Sequence, residues 1–255
     1  VNFYAVDFFS AEAEVFQTSC RCFGGGTVPR DTVKEMAVTK LAVIWIHGLG
    51  DRGASWGDLK KELRMPFETK WQFPDAAVQP VTCNQGHKST SWFDIETIPV
   101  TETGKDYPQD IEKSVTRIHG MIADLEKEGY DPKEIFVGGF SQGGAMSMQS
   151  VLRYPRTLGG AICMSGWLMM RTDAEKWATK EGIKAPVFWG HGSDDQTVVF
   201  GNQKPGVAVL KKLGCSVTSA VYEGVGHSFS AAALGQIQSF FSDCVKGNVG
   251  ASKEL

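Results

Sequence analysis

A Gly-x-Ser-x-Gly turn constrains the fold of this chain more than any other feature of its sequence. Gly139-Phe-Ser141-Gln-Gly143 stands between a short apolar run, residues 135–137, and a predicted helix, residues 145–152. A sharp strand-turn-helix junction holds its serine in a strained backbone conformation, so that the Oγ projects above the edge of a sheet. The glycines leave space that a Cβ would fill. The pattern therefore predicts a nucleophilic serine, Ser141, at the end of a parallel strand.

The sequence from residue 40 onward predicts an α/β fold, because apolar runs of strand length alternate with segments of helical period. The predicted strands cover residues 41–46, 135–137, 160–164, 186–190 and 216–222, and the predicted helices cover residues 111–125, 145–152, 207–213 and 231–245. We expect one domain over residues 40–245. An N-terminal arm, residues 1–39, and a C-terminal tail, residues 246–255, flank it.

Charge and composition exclude several classes of function. The 26 Lys and Arg residues against 29 Asp and Glu residues leave a net charge of −3, and no basic run is present, so we expect no nucleic-acid partner. The apolar stretches are shorter than the roughly 20 residues of a membrane-spanning helix, so no transmembrane segment is predicted. Six cysteines at uneven spacings favour a reducing compartment, which makes the cytoplasm the expected location.

A serine nucleophile needs a histidine base and a carboxylate, which follow it in the order Ser, Asp, His in folds with this turn. Two histidines follow Ser141, namely His191 and His227. His227 fits the base because it follows the acidic residues and precedes the last predicted helix. The adjacent residues Asp194 and Asp195 are both candidates for the acid, and the sequence by itself leaves that choice open.

Two further segments bear on the chemistry. His191 with two nearby carboxylates lacks the ligand set of a zinc or di-iron centre, so we predict no metal and interpret His191 as a turn residue. The loop His47-Gly-Leu-Gly50 follows the first predicted strand. A loop in that place supplies one backbone N–H of an oxyanion hole, and Gln142, the residue after the nucleophile, supplies the other.

The order and spacing of several motifs resemble the acyl-protein thioesterase/carboxylesterase family of α/β-hydrolases over about residues 40–245. Besides the turn at Ser141, the motifs are His47-Gly-Leu-Gly-Asp51, Phe73-Pro-Asp-Ala76, Ser91-Trp-Phe-Asp94, Ser165-Gly-Trp-Leu168 and Tyr222-Glu-Gly224 before His227. The resemblance implies a mostly parallel central sheet with helices on both faces. It also implies hydrolysis of palmitoyl and other thioesters of S-acylated proteins, or of carboxylesters, without a cofactor.

The resemblance assigns roles to individual residues. Ser141 is the nucleophile, His227 the base and Asp195 the acid, since the segment from His191 to Asp195 reproduces the family's His-Gly-x-x-Asp. Leu49 and Gln142 donate the oxyanion-hole N–H groups, and Trp92 and Trp167 line the acyl pocket. The segments Gln196-Thr-Val-Val199, Met169-Met170 and Gly86-His-Lys-Ser-Thr-Ser91 depart from the family pattern. Some of these changes fall where acyl selectivity arises, so the resemblance does not transfer a particular substrate.

Two rival functions remain open at this point. One is a small-molecule carboxylesterase or lysophospholipase that has no protein substrate. The other is a hydrolase-fold protein that binds an acyl or lactone ligand without turnover, although the complete set of Ser, Asp and His argues against it. The sequence does not determine the oligomeric state.

The N-terminal arm has no counterpart in the resemblance. It carries several phenylalanines, then Cys20-Arg-Cys22 and three glycines. Some family members attach to membranes through an acylated cysteine near the N-terminus. Cys20 or Cys22 is therefore a candidate acylation site, and peripheral membrane contact is an alternative to a purely cytoplasmic location.

Overall fold

The computed structural model describes residues 40–248 and 252–255. The predicted N-terminal arm, with Cys20 and Cys22, lies outside the described residues. No helix within the described ranges is both long enough and apolar enough to cross a bilayer.

Seven parallel strands form the central sheet, and two antiparallel strands form a separate hairpin. The strands are β1 Lys40–Ile46, β2 Glu68–Gln72, β3 Ala77–Pro80, β4 Lys88–Ser91, β5 Ile135–Phe140, β6 Gly160–Met164, β7 Val187–Gly192, β8 Val217–Tyr222 and β9 Lys253–Glu254. The order in the central sheet is β2-β1-β5-β6-β7-β8-β9, and each neighbouring pair is parallel. Strands β3 and β4 pair with each other outside it.

Helices follow most of the strands. The α-helices are α1 Leu59–Glu62, α2 Pro108–Lys127, α3 Gln142–Leu152, α4 Ala174–Trp177, α5 Gln203–Lys212 and α6 Ala231–Val245. Short 3-10 helices cover Gly53–Trp56, Thr82–Asn84, Pro132–Glu134, Arg171–Asp173, Gly182–Lys184 and Phe200–Asn202. Helix α2 buries a stripe of apolar residues at helical spacing, including Ile111, Val115 and Ile118, which is why its periodicity is visible in the sequence.

The hydrophobic core forms two layers, one on each face of the sheet. Alternate residues of a strand point to opposite faces, so Ile44 of β1 enters one layer and Trp45 enters the other. The first layer includes apolar residues of α2, α3 and α5, and the second includes those of α1 and α6. Burial on both faces explains why β1 is a continuous apolar run.

The predicted α/β class, with a mostly parallel sheet covered on both faces, is confirmed. The sequence patterns missed β2, the β3–β4 hairpin and β9. Strand β2 is partly exposed at the sheet edge and carries Glu68 and Lys70, so it lacks an apolar run. Strand β9 has only two residues, which belong to the predicted tail and pair with β8 at the other edge. Edge strands of this kind leave little hydrophobic signal in a sequence.

Candidate active site

The turn at Ser141 lies between β5 and α3 and holds the serine in a strained backbone conformation with a positive φ of 57° and a ψ of −120°. The Ser141 N–H donates to the carbonyl oxygen of Met164 at 2.8 Å. A Cβ on Gly143 would lie 1.9 Å from the carbonyl oxygen of Ile46, and one on Gly139 would lie 2.4 Å from that of Gly143. Glycine is therefore required at both positions for the turn to close.

The structure brings His227 to Asp195 rather than to Asp194. The Nδ1 of His227 lies 2.7 Å from Oδ2 of Asp195, whose side chain is buried. The carboxylate of Asp194 instead accepts a hydrogen bond from Ser193 Oγ at 2.8 Å on the surface. An Nδ1–H donated to a carboxylate leaves the other ring nitrogen of His227 free to accept a proton. Ser141 and His227 line the same cavity.

Asp195 is held in place from several directions. Its Oδ1 accepts the backbone N–H groups of Thr197 and Val198, each at 2.9 Å. Its Oδ2 also lies 3.4 Å from Nε2 of His191. Burial by itself raises the pKa of Asp195, but the hydrogen bonds from His191, His227 and the backbone outweigh it and hold that pKa below its ordinary value. The carboxylate is thus ionised when it faces His227.

His191 is a residue that the sequence analysis misjudged. It lies within β7 and is fully buried, so its interpretation as a turn residue is wrong. Its Nε2 donates to the carbonyl oxygen of Val198 at 2.9 Å, and its ring packs edge-on against Phe200. Val198 therefore has both backbone groups bound, because its N–H donates to Asp195 and its carbonyl oxygen accepts from His191. In the sequence, the spacing of four residues between His191 and Asp195 is the feature from which their contact could be predicted.

The expected oxyanion-hole residues flank Ser141. Gln142 is the first residue of α3, so its backbone N–H has no acceptor inside the helix. Leu49 lines the cavity together with Ser141. The preceding Gly48 is so close that a Cβ there would lie 3.8 Å from Ser141 Oγ. Backbone N–H groups in these two places suit an anionic oxygen held beside Ser141 Oγ.

Side-chain hydrogen bonds fix the two segments that carry the backbone N–H groups of Leu49 and Gln142. The amide of Gln142 accepts from the Trp92 backbone N–H at 2.9 Å and donates to the Phe93 carbonyl oxygen at 2.7 Å. His47 bonds the Gly48 carbonyl oxygen through Nδ1 at 2.7 Å and accepts the Ala76 N–H through Nε2 at 2.9 Å. Burial lowers the pKa of His47, which suits the neutral ring that this pair of bonds requires.

The position of Trp92 corrects the expectation that it lines the acyl pocket. Its side chain is 2% exposed, and its indole Nε1 donates to the carbonyl oxygen of His47 at 3.0 Å. Trp92 is not among the described residues around the cavity. Through its bond to His47, it instead supports the far side of the loop that carries Leu49. Trp167, by contrast, lines the cavity, with its ring edge-on to Phe93.

A cavity of about 460 Å³ opens beside Ser141. Its aliphatic wall consists of Leu49, Ile95, Ile98, Val100 and Val198, with Trp167 on the same side. Its aromatic wall consists of Trp56, Phe140 and Phe229. This volume lies in the range of small-molecule sites, which are mostly apolar with a few polar groups. Among the described residues, no group of three or more His, Cys, Asp or Glu side chains could hold a metal ion.

Comparison with known proteins gives a consistent result. The model of the phospholipase/carboxylesterase family matches residues 31–245. A probable carboxylesterase of Oryza sativa subsp. japonica is 37% identical over 229 residues, which cover 89% of this chain and 85% of that protein. Acyl-protein thioesterase 1 of Debaryomyces hansenii is 31% identical over 215 residues, which cover 81% of this chain and 92% of that protein.

A solved structure extends the likeness to three dimensions. Carboxylesterase SOBER1 of Arabidopsis thaliana is 34% identical to this chain over 215 residues. Its crystal structure superposes with a TM-score of 0.78 and covers 81% of this chain and 99% of the SOBER1 chain. The likeness therefore extends over most of this chain and nearly all of the SOBER1 chain.

Proposed function

Since the chain belongs to the phospholipase/carboxylesterase family of α/β-hydrolases and is an esterase or thioesterase, we propose that it works through an acyl-serine intermediate on Ser141. The observation that carries the proposal is the 2.7 Å contact between His227 Nδ1 and Asp195 Oδ2, at the cavity that Ser141 also lines. A serine hydroxyl becomes an effective nucleophile when such a pair accepts its proton.

In the first step, Ser141 Oγ bonds to the carbonyl carbon of the substrate while its proton moves to the free ring nitrogen of His227. The carbonyl oxygen becomes an oxyanion that accepts the N–H groups of Leu49 and Gln142. When the intermediate collapses, the bond to the leaving oxygen or sulfur breaks. His227 then protonates the leaving atom, which departs as an alcohol or thiol.

In the second step, water attacks the acyl-serine carbonyl and gives its proton to His227. Collapse of this second intermediate releases the carboxylic acid and returns the proton to Ser141. The balance is one ester or thioester and one water converted to one acid and one alcohol or thiol. Asp195 keeps the imidazole in the required tautomer and stabilises the imidazolium form through its buried, ionised carboxylate.

We further propose that the substrates include S-acyl cysteines of proteins, with the acyl chain against the aliphatic wall. The wall is continuous with the first core layer, to which Leu49, Ile95 and Val100 belong. An acyl chain gains from burial there by about 0.8 kcal/mol per methylene. The thioesterase relative supports a sulfur leaving atom.

A cytoplasmic location, membrane contact through Cys20 or Cys22 and a domain ending at Val245 remain proposals from the sequence.

Ser141→Ala tests the mechanism, with Ser239→Ala on the exposed face of α6 as the matched control. Each variant is assayed on an acyl-cysteine peptide and on an ethyl ester that carries the same acyl group. We expect Ser141→Ala to lose at least about 1,000-fold in kcat/KM and to escape labelling by a fluorophosphonate, whereas Ser239→Ala keeps both. Near wild-type turnover by Ser141→Ala would rule out the acyl-serine mechanism. Hydrolysis of the ethyl ester alone would reject the protein substrate and favour a small-ester carboxylesterase.

A further inference from the structure

The two walls of the cavity belong to opposite faces of the sheet. Leu49 and Val198 of the aliphatic wall are part of the first core layer. Trp56, Phe140 and Phe229 of the aromatic wall pack against the second. The cavity therefore spans the carboxyl edge of the sheet, and its two sides differ in chemistry.

The aromatic wall is a cluster of three rings in mutual contact. The ring centroids of Trp56 and Phe140 are 5.7 Å apart, those of Trp56 and Phe229 5.7 Å, and those of Phe140 and Phe229 5.5 Å. Each ring is partly exposed and lines the cavity. The Phe140 ring also lies 4.7 Å from the ring of His227. The aromatic wall thus contacts the ring of the proposed base through Phe140.

Proton transfer decides which part of the substrate meets this wall. His227 must protonate the leaving atom, so the group attached to that atom lies beside His227 when the first intermediate collapses. Phe140 contacts the ring of His227, and Phe229 follows His227 by two residues in the chain. On the basis of the acyl-serine mechanism proposed above, we propose that the aromatic wall is a leaving-group subsite that favours leaving groups with a planar aromatic ring.

The two charged side chains at this cavity, Asp51 and Arg52, have opposite signs, so their charges do not select a cationic leaving group. Arg52 lines the same cavity, and its positive charge opposes an ammonium group. The carboxylate of Asp51 is already engaged, because it accepts Trp56 Nε1 at 2.8 Å and the Arg52 backbone N–H at 2.7 Å. In an S-acylated peptide, the favoured ring is the side chain of a Phe, Tyr or Trp next to the acyl-cysteine.

Benzyl butyrate and cyclohexylmethyl butyrate form the diagnostic pair of substrates. They share the acyl group, the number of ring carbons and a primary alcohol as leaving group, so the planar aromatic ring is their principal difference. Contacts between aromatic rings favour the benzyl ester by about two- to tenfold in kcat/KM. A ratio of one or less in the wild-type enzyme would overturn the proposal.

Phe229→Leu locates the preference, and Phe67→Leu is its control. Phe67 packs against the same core layer but is not among the described residues around the cavity. We expect the benzyl preference to fall toward one in Phe229→Leu and to stay at the wild-type value in Phe67→Leu. A preference that persists in folded Phe229→Leu would overturn the assignment to this wall. Ile95→Ala, in the aliphatic wall, should alter the dependence on acyl length and leave the benzyl preference unchanged.

A product-inhibition measurement keeps the test independent of the variants. Benzyl alcohol should inhibit wild-type hydrolysis of ethyl butyrate at a concentration about two- to tenfold lower than cyclohexylmethanol does. Equal inhibition by the two alcohols would count against the subsite. If the acyl-serine mechanism itself were wrong, hydrolysis would persist in Ser141→Ala. If hydrolysis depended on Ser141 but showed no benzyl preference, only the leaving-group subsite would be contradicted.

Discussion

The turn around Ser141 and the loop around Asp195 both border the cavity, yet they are held in different ways. The turn is fixed by close backbone packing, because a Cβ on Gly139 would lie 2.4 Å from the Gly143 carbonyl oxygen and one on Gly143 would lie 1.9 Å from that of Ile46 in β1. The loop is fixed by polar side-chain contacts: Asp195 is hydrogen-bonded to His227 and lies 3.4 Å from Nε2 of His191, which donates to the Val198 carbonyl oxygen. One part of the site thus depends on the close approach of backbone segments, and the other on polar contacts of side chains.

Gly143→Ala is the strongest test of the steric side. The new Cβ would lie 1.9 Å from the Ile46 carbonyl oxygen, so β1 or the turn must move. We expect the free energy of unfolding to fall by about 3 kcal/mol or more, together with loss of activity. Gly120→Ala in α2 is the control, because a Cβ there meets nothing within 4 Å, and it should raise stability by up to about 1 kcal/mol. Similar denaturation midpoints for the two variants would refute the steric account.

Asp195→Asn tests the polar side, with Asp194→Asn beside it. An amide at residue 195 favours the wrong tautomer of His227, so kcat should drop by roughly 1,000- to 10,000-fold while the fold persists. Asp194 binds Ser193 on the surface, and its variant should stay within about threefold of wild type. Steady-state kinetics on one ester compares the two. A larger loss in Asp194→Asn would reverse the assignment of the acid.

His191→Phe asks whether the second histidine positions the acid. It keeps a buried ring but removes the hydrogen bond to Val198 and the contact with Asp195. We expect kcat to fall about 10- to 100-fold with KM within twofold, since only the orientation of the acid changes. His191→Gln retains an N–H donor and should recover part of the loss. Equal kinetics for both variants and wild type would show that the contact has no role in positioning.

The smallest expected effect is a dependence of stability on pH. The folded-state pKa of Asp195 lies below its unfolded value of about 3.9, so its ionised form stabilises the fold above that pH. This contribution is lost as the pH falls below about 4 toward the folded-state pKa. Melting temperatures of wild type and Asp195→Asn should therefore converge as the pH is lowered from 7 to 3. A difference that does not change with pH would contradict an ionised, hydrogen-bonded Asp195.

The sequence predicts most clearly the strands that are buried on both faces of the sheet and the glycine-rich turn at Ser141. Strands β1, β5 and β6 were predicted from apolar runs, and α2 and α6 from their periodicity. Strands β2 and β9 were missed because sheet edges are partly polar and gain their pairing only from a neighbour. The catalytic roles of Ser141, Asp195 and His227 remain proposals; the structure places Ser141 and His227 at one cavity and buries Asp195 against the Nδ1 side of His227.

The sequence by itself determined the α/β fold and the turn at Ser141, because the apolar periods and the Gly-x-Ser-x-Gly pattern each extend over only a few consecutive residues. Only the tertiary structure shows that His227 contacts Asp195 rather than Asp194, that Trp92 is buried behind the Leu49 loop, and that His191 lies against Asp195. It alone joined the aliphatic and aromatic walls. Those outcomes depend on side chains from strands distant in the sequence, whose directions are fixed when parallel strands pair and end at one edge.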